Sequence, residues 1–332
     1  MRIRYREMED LLRGILLREG FSGDKADFIA GVHTRSTCDG VASHGINRFP
    51  LFIEYVRKRI VDPHAEPECL NSSGFAEQWE GHMGSGVWNA HCAMVRCIEI
   101  AGDRGIGIVT LRNTNHWMRG GTYGWQAANS GLIGICFTNT KPNMPAWGAA
   151  DVRIGNNPLV IAIPRKNGHV VVDMSMSQFS YGAMQRYLSE GRHMPVQAGW
   201  DRDGVLTNDP AEIIASERPL PAGLWKGSAL AVVLDLLATL LSGGLATHQI
   251  GLRESESALS QVFICLDPGL FAPEEERNRW LNDIIEDLHR SVPMEDGMKI
   301  LYPGERVWET RMRNLREGIP VDPEIWEKIT EL

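Results

Sequence analysis

The chain lacks the short signatures that would assign it quickly. No Gly-x-Gly-x-x-Gly opens a helix after a strand and no P-loop sequence occurs, which excludes an ordinary Rossmann fingerprint and a Walker cradle. His-x-x-x-His and His-Glu-x-x-His are missing, so no metal site is expected. The six cysteines, Cys38, Cys69, Cys92, Cys97, Cys136 and Cys265, form no Cys-x-x-Cys pair and read as reduced and mostly buried. There is no excess of basic residues: the net charge of -8 argues against a nucleic acid partner. Long apolar runs are scarce too. The longest, residues 229–241, contains Asp235 and is too short to span a bilayer, so it reads as a buried helix and no membrane partner is expected. The opening Met-Arg-Ile-Arg-Tyr-Arg-Glu-Met has no apolar run or small-residue cleavage site of a secretory signal, so a cytoplasmic protein is expected. Ser43 and His44 are neighbours, no nucleophile elbow is present, and a hydrolase ranks below other enzyme classes. The chain has no internal repeat or low-complexity tract.

What remains is a soluble globular composition, 43% hydrophobic and 23% charged over 332 residues, enough for roughly two domains. Tyr5, Met8, Leu11, Leu12, Ile15 and Leu16 recur at helical spacing, and a second helix is expected over 24–38. Residues 62–81 are rich in Pro, Glu, Ser and Gly and suggest a boundary near residue 75. Beyond a helix over 87–101, β-branched runs at 107–112, 132–138, 159–163 and 170–173 predict one sheet, with a short helix after 124 and a further strand at 261–266. Residues 192–223 read as a long irregular excursion that covers a site. Helix returns at 226 and again at 274–290, and the last helix has Asp322 as N-cap and Pro323 at its first position. The expected class is α/β of the α+β type. A mixed-sheet nucleotide-binding domain over 76–225 combines with a discontinuous helical domain made of 1–75 and 226–332.

Ser43-His44-Gly45-Ile46-Asn47-Arg48-Phe49-Pro50 concentrates chemistry. An imidazole titrates near neutrality and carries protons at little cost, while Arg48, four positions on, shares a face with His44 if the stretch is helical. A substrate carboxylate or ketone oxygen can meet both. A His-Gly at a helix boundary can equally be structural. Asn115, His116, Arg119 and Tyr123 form a second polar cluster after a strand, where side chains converge on ligands. The run from Val170 to Ser177 opens from a strand into serines, and Asp173 is placed to hold a ribose hydroxyl or to cap a helix. Lys226 begins the apolar helix and can meet an anion.

Taken in order, residues 39–50, 113–128, 153–159, 172–177 and 225–228 resemble the type-2 malate/L-lactate dehydrogenase family from end to end. The resemblance implies a cytoplasmic homodimer that binds NAD, as NADH with NADPH as the alternative, in a non-Rossmann fold. Its implied activity is reduction of a small-molecule 2-keto acid, with a 2,3-diketo sugar acid ranked first and malate, L-lactate or ureidoglycolate dehydrogenation as alternatives. A non-catalytic nucleotide sensor is the competing class. The family's proton donor falls on His44. Arg48, His116 and Asn115 are expected to orient the keto acid, with His116 either a second donor or a pocket wall. Cofactor contacts fall on His169, Val170, Val171, Val172, Asp173, Met174 and Ser175, on Trp225 and Lys226, and on Gly304, Glu305 and Arg306. Glu305-Arg306 and the loop 165–168 depart from the family pattern and leave NADH against NADPH preference open.

Overall fold

The computed structural model describes residues 1–332. Its centre is a seven-stranded mixed sheet in the order Glu68–Ser73, Ala76–Glu80, Ile106–Thr114, Leu259–Leu266, Ile133–Thr138, Leu159–Ile163, Val170–Met174. Only Ala76–Glu80 and Ile106–Thr114 run parallel; every other pairing is antiparallel. The five β-branched runs read from the sequence all lie in this sheet, and no Rossmann strand order is present. The sequence predicts a boundary over 62–81, where the structure has a hairpin at 68–80. Its outer strand is exposed at all six positions, so it carries no apolar alternation to betray a strand.

One face of the sheet is covered by the helices Gly86–Arg104 and Gly121–Asn129. Met94, Cys97 and Ala127 pack there with Val109, Val160 and Phe263. The other face is covered by the helix Trp225–Ser242, whose Ala231, Leu234 and Ala238 meet Phe137 and Val262. The division expected from the sequence places that helix, with the strand at 261–266, in the helical part instead. Because the helix is apolar nearly all round, its periodicity could not say which neighbour it packs against. A separate helical core joins Met8, Leu12, Ile15 and Leu16 of the helix Tyr5–Arg18 to Ile29, Phe49, Ile53 and the C-terminal Ile319 and Ile329. Asp322 caps the last helix, accepting from the Glu324 N–H at 2.9 Å.

Residues 192–223 are largely irregular, as expected, but they hold two-residue strands at Gly199–Trp200 and Leu206–Thr207 and a helix at Pro210–Ser216, and with 181–189 they form a small unit. The helices Tyr181–Ser189 and Pro210–Ser216 close on a core of Met184, Met194, Ala198 and Ile213. Gly182 of this unit lies directly against Ser43.

The turn around His44 is held by the helix Gly23–Cys38. It consists of two 3-10 turns, Ala42–His44 and Ile46–Arg48, followed by the helix Phe49–Arg57. Gly45 separates the two turns and presses on the preceding helix: a Cβ there would lie 2.8 Å from the His33 carbonyl oxygen and 2.8 Å from the Thr37 nitrogen. His33 Nδ1 meets the Gly45 carbonyl oxygen at 2.9 Å, and the Ile46 N–H donates to Thr37 Oγ1 at 2.9 Å. Gly45→Ala should therefore lower stability by about 1–3 kcal/mol through overpacking. A denaturant melt matching the parent would show that the close contact is not needed.

Candidate active site

His44 and His116 are the pair around which the site is built. Their rings lie 5.8 Å apart and within 20° of parallel, although 72 positions (116 − 44) separate them in the chain. Both are half-buried. Ser43 Oγ sits 3.2 Å from His44 Nδ1, which fixes one end of the ring and leaves Nε2 for a ligand. His116 Nδ1 accepts the Met118 N–H at 3.0 Å, so neutral His116 carries its proton on Nε2. Met118 adopts φ +61°, a conformation unusual for a bulky L-residue, and this local strain aims the amide at His116.

The electrostatics differ from the expectation of an imidazole poised near neutrality. Burial, reinforced by the charges of Arg48 and Arg119, pushes the His44 pKa down to about 4. Burial and then the Arg48 charge hold His116 well below the ordinary histidine range. Both rings are therefore neutral at pH 7 in the ligand-free protein. Bringing an anion between Arg48 and Arg119 offsets that cationic field and makes an imidazolium easier to form.

Arg48 does not share a continuous helical face with His44, because Gly45 divides the stretch. Its charge still acts on both histidines. Its Nη2 contacts Glu256 Oε2 at 3.3 Å. Glu256 was not anticipated: it lies in the connection between Ile250 and Leu259, which carries no recognisable motif. Asn115 is a correction. Its side-chain amide donates to the backbone carbonyls of Ile60, Met83 and Gly84 at 3.2, 2.8 and 3.0 Å, which leaves no donor to orient a keto acid. Asn115 clasps the 60–84 connection to the sheet. Tyr123 is buried in the core, with its hydroxyl on the Trp117 carbonyl oxygen at 2.8 Å.

Asp39 and Arg119 join the parts. Asp39, at the end of the Gly23–Cys38 helix, accepts from Arg119 Nη1 at 2.5 Å and from Arg311 Nε and Nη2 at 2.6 and 2.8 Å. Arg119 Nε also lies 3.9 Å from Asp173 Oδ2. The Gly121 N–H donates to the same Asp173 oxygen at 2.8 Å, and a Cβ at Gly121 would lie 2.8 Å from it. Asp173 thus stands at the edge of the His44 region, with its side chain 28% exposed.

The segments expected to contact a cofactor fall along the edge strand Val170–Met174. The Val171 N–H donates to the Pro303 carbonyl oxygen at 2.9 Å, bringing Gly304 against His169 and Val171. At the other end the Ala222 N–H donates to the Met176 carbonyl oxygen at 2.8 Å, which places Trp225 and Lys226 near Ser175. Trp225 is 61% exposed and Lys226 is exposed with no ion-pair partner. Glu305 is engaged elsewhere, accepting from the Tyr302 N–H at 3.0 Å and lying 3.0 Å from His289 Nε2, whereas Arg306 is free in solvent. Beside the His169 end lies a cavity of about 440 Å³. A strand at the sheet's edge, a carboxylate, exposed cations and an adjoining cavity suit an extended dinucleotide.

The malate/L-lactate dehydrogenase family model matches residues 3–330. The chain belongs to the malate/L-lactate dehydrogenase family. It is 41% identical to the 2,3-diketo-L-gulonate reductase of Klebsiella pneumoniae over the whole of both chains. Among solved structures it is similar to the sulfolactate dehydrogenase of Methanocaldococcus jannaschii. There the TM-score is 0.90 and the identity 27%, with 100% of this chain and 96% of that one covered. It is also similar to the Δ1-piperideine-2-carboxylate reductase of Pseudomonas syringae, with TM-score 0.88 and identity 27%, covering 100% of this chain and 99% of that one. The chain is an oxidoreductase, and its family implies a nicotinamide cofactor.

Proposed function

We propose that the chain uses NADH or NADPH to reduce a 2-keto sugar acid, with 2,3-diketo-L-gulonate reduced to 3-dehydro-L-gulonate as the first substrate. The observation that carries the mechanism is the near-parallel pair His44 and His116 beside Arg48 and Arg119. Full-length similarity to proteins named 2,3-diketo-L-gulonate reductase supports the substrate. When bound along the Val170–Met174 edge, the reduced nicotinamide supplies the hydride. Asp173, Ser175 and Lys226 would hold its ribose or phosphates.

The protein's own part begins with charge. Arg48 attracts the substrate carboxylate and the Nε2–H of His116 meets the keto oxygen. The anion raises the proton affinity of His44, which takes up a proton and delivers it to that oxygen as the alcohol forms. Without a proton or fixed donors the product alkoxide is unstable near neutrality. A steady-state assay over a panel of keto acids tests the assignment. Oxidation of the reduced dinucleotide is expected, fastest with 2,3-diketo-L-gulonate. Preference for pyruvate or oxaloacetate would move the substrate within the family, and silence across the panel would favour a sensor.

A homodimer belongs to the same reading. Val233, Leu236, Leu237 and Leu240 form an exposed apolar stripe on the Trp225–Ser242 helix, opposite the face packed on the sheet, and Leu240 is 76% exposed. Asp235 accepts from Asn139 Nδ2 at 3.0 Å and from the Thr247 N–H at 2.9 Å, so the helix is fastened to this fold rather than free to enter a bilayer. A second copy is the occupant proposed for the stripe. The parent should sediment as a dimer and Leu236→Asp/Leu240→Asp as a monomer; a monomeric parent would reject this. A cytoplasmic location is part of the proposal, supported by six cysteines that are all free.

A further inference from the structure

The cavity beside His169 has a composition at odds with the chain as a whole. In a protein of net charge -8, its wall carries Arg35, Arg119, Arg165, Lys166 and Arg311 against a single carboxylate, Asp39. That carboxylate is fully engaged by Arg119 and Arg311 at 2.5–2.8 Å. Arg35, Arg165 and Lys166 are left without an acidic partner. Arg165 is nevertheless held in place. Its Nε donates to Asn282 Oδ1 at 2.9 Å, its Nη1 donates to the Asn167 carbonyl oxygen at 3.0 Å, and its Cζ lies 5.5 Å from the centre of the Tyr302 ring. Two indoles line the cavity as well, Trp125 and Trp308, with the Arg311 guanidinium 5.7 Å and 6.0 Å from their ring centres.

A site for an unphosphorylated adenosine ribose offers a free carboxylate to its 2′- and 3′-hydroxyls, and that carboxylate repels a 2′-phosphate. A site for the phosphorylated form offers cations and no free carboxylate. The cavity is of the second kind. Building on the dehydrogenase reading above, we infer that this cavity receives the adenosine end of the dinucleotide, with Arg165 and Lys166 binding a 2′-phosphate, so that the chain prefers NADPH to NADH. The position supports this, because the cavity adjoins the His169 end of the edge strand while the Asp173 end leads to His44. Arg119 lines the cavity, approaches Asp173 and acts on His44, so the two ends belong to one continuous track.

Calorimetry on the intact protein tests the inference without turnover, using NADPH, NADH, adenosine 2′,5′-bisphosphate and 5′-AMP as titrants. NADPH should bind about tenfold or more tightly than NADH, and the bisphosphate should exceed 5′-AMP by a similar factor, the value of one charge-assisted phosphate contact. In Arg165→Met/Lys166→Met both ratios should fall close to one. Arg165 also rests on the buried Tyr302 ring and on Asn282, so a melt accompanies the variant, and the parent ratios decide the matter even if it misfolds. Equal affinities in the parent, or NADH the tighter, would overturn the 2′-phosphate assignment and leave the dehydrogenase reading standing. Failure of both dinucleotides to bind would remove that reading and this inference together.

Discussion

Replacing His44 with Asn should lower kcat for keto-acid reduction by about a hundredfold or more, the ordinary contribution of a positioned acid–base group. Asparagine keeps a polar, hydrogen-bonding side chain next to Ser43 but has no proton to exchange near neutrality. Dinucleotide affinity should change little, because the segments assigned to the cofactor lie along Val170–Met174, Trp225–Lys226 and Gly304–Arg306. The combination separates a chemical role from a structural one. Loss of kcat with intact dinucleotide binding and an unchanged melt supports proton transfer at His44. A parental turnover rate at saturation would remove His44 from the mechanism.

The second large effect is on pH dependence. In the ligand-free protein His44 has its pKa pushed down to about 4, so the neutral ring dominates above that pH and the protonated fraction falls tenfold with each further unit. Reduction needs the protonated form. At saturating dinucleotide, kcat/KM for the keto acid should therefore fall about tenfold per pH unit between roughly pH 5 and 8. Oxidation of the hydroxy acid needs the neutral ring, and its kcat/KM should stay level over the same window, dropping only toward pH 4. The two directions thus have opposite requirements for one group. A reductive profile flat from pH 5 to 8 would mean that the proton comes from elsewhere.

The sequence revealed the parts of this design that local patterns encode. The five central strands were readable because buried strands demand consecutive β-branched residues, and the two opening helices because their apolar stripe repeats at helical spacing. His44 and His116 stood out in polar clusters at element ends. What stayed hidden was how distant residues are joined. Asp39 meets Arg119 and Arg311, 80 and 272 positions away, and nothing in the local sequence of any of the three announces the others. Glu256 comes to Arg48 from a connection 208 positions away. Asn115 looked like a ligand contact because exposed asparagines after strands often are, but here burial gave its amide to three carbonyls. The lowered histidine pKa could not be foreseen either, since burial and nearby guanidinium charge are properties of the assembled fold.

The central claim is that His44 is neutral in the free enzyme and acquires its proton when the anionic substrate arrives. Proton uptake on binding tests it most directly. The enzyme, loaded with reduced dinucleotide in weakly buffered solution near pH 7, is titrated with an unreactive carboxylate mimic of the keto acid such as oxamate, and the pH change is read with an indicator dye. The parent should take up a measurable fraction of a proton per site on binding, growing as the titration is repeated at pH values closer to 5, and His44→Asn none. Binding without uptake in the parent, or equal uptake in parent and His44→Asn, would contradict the account.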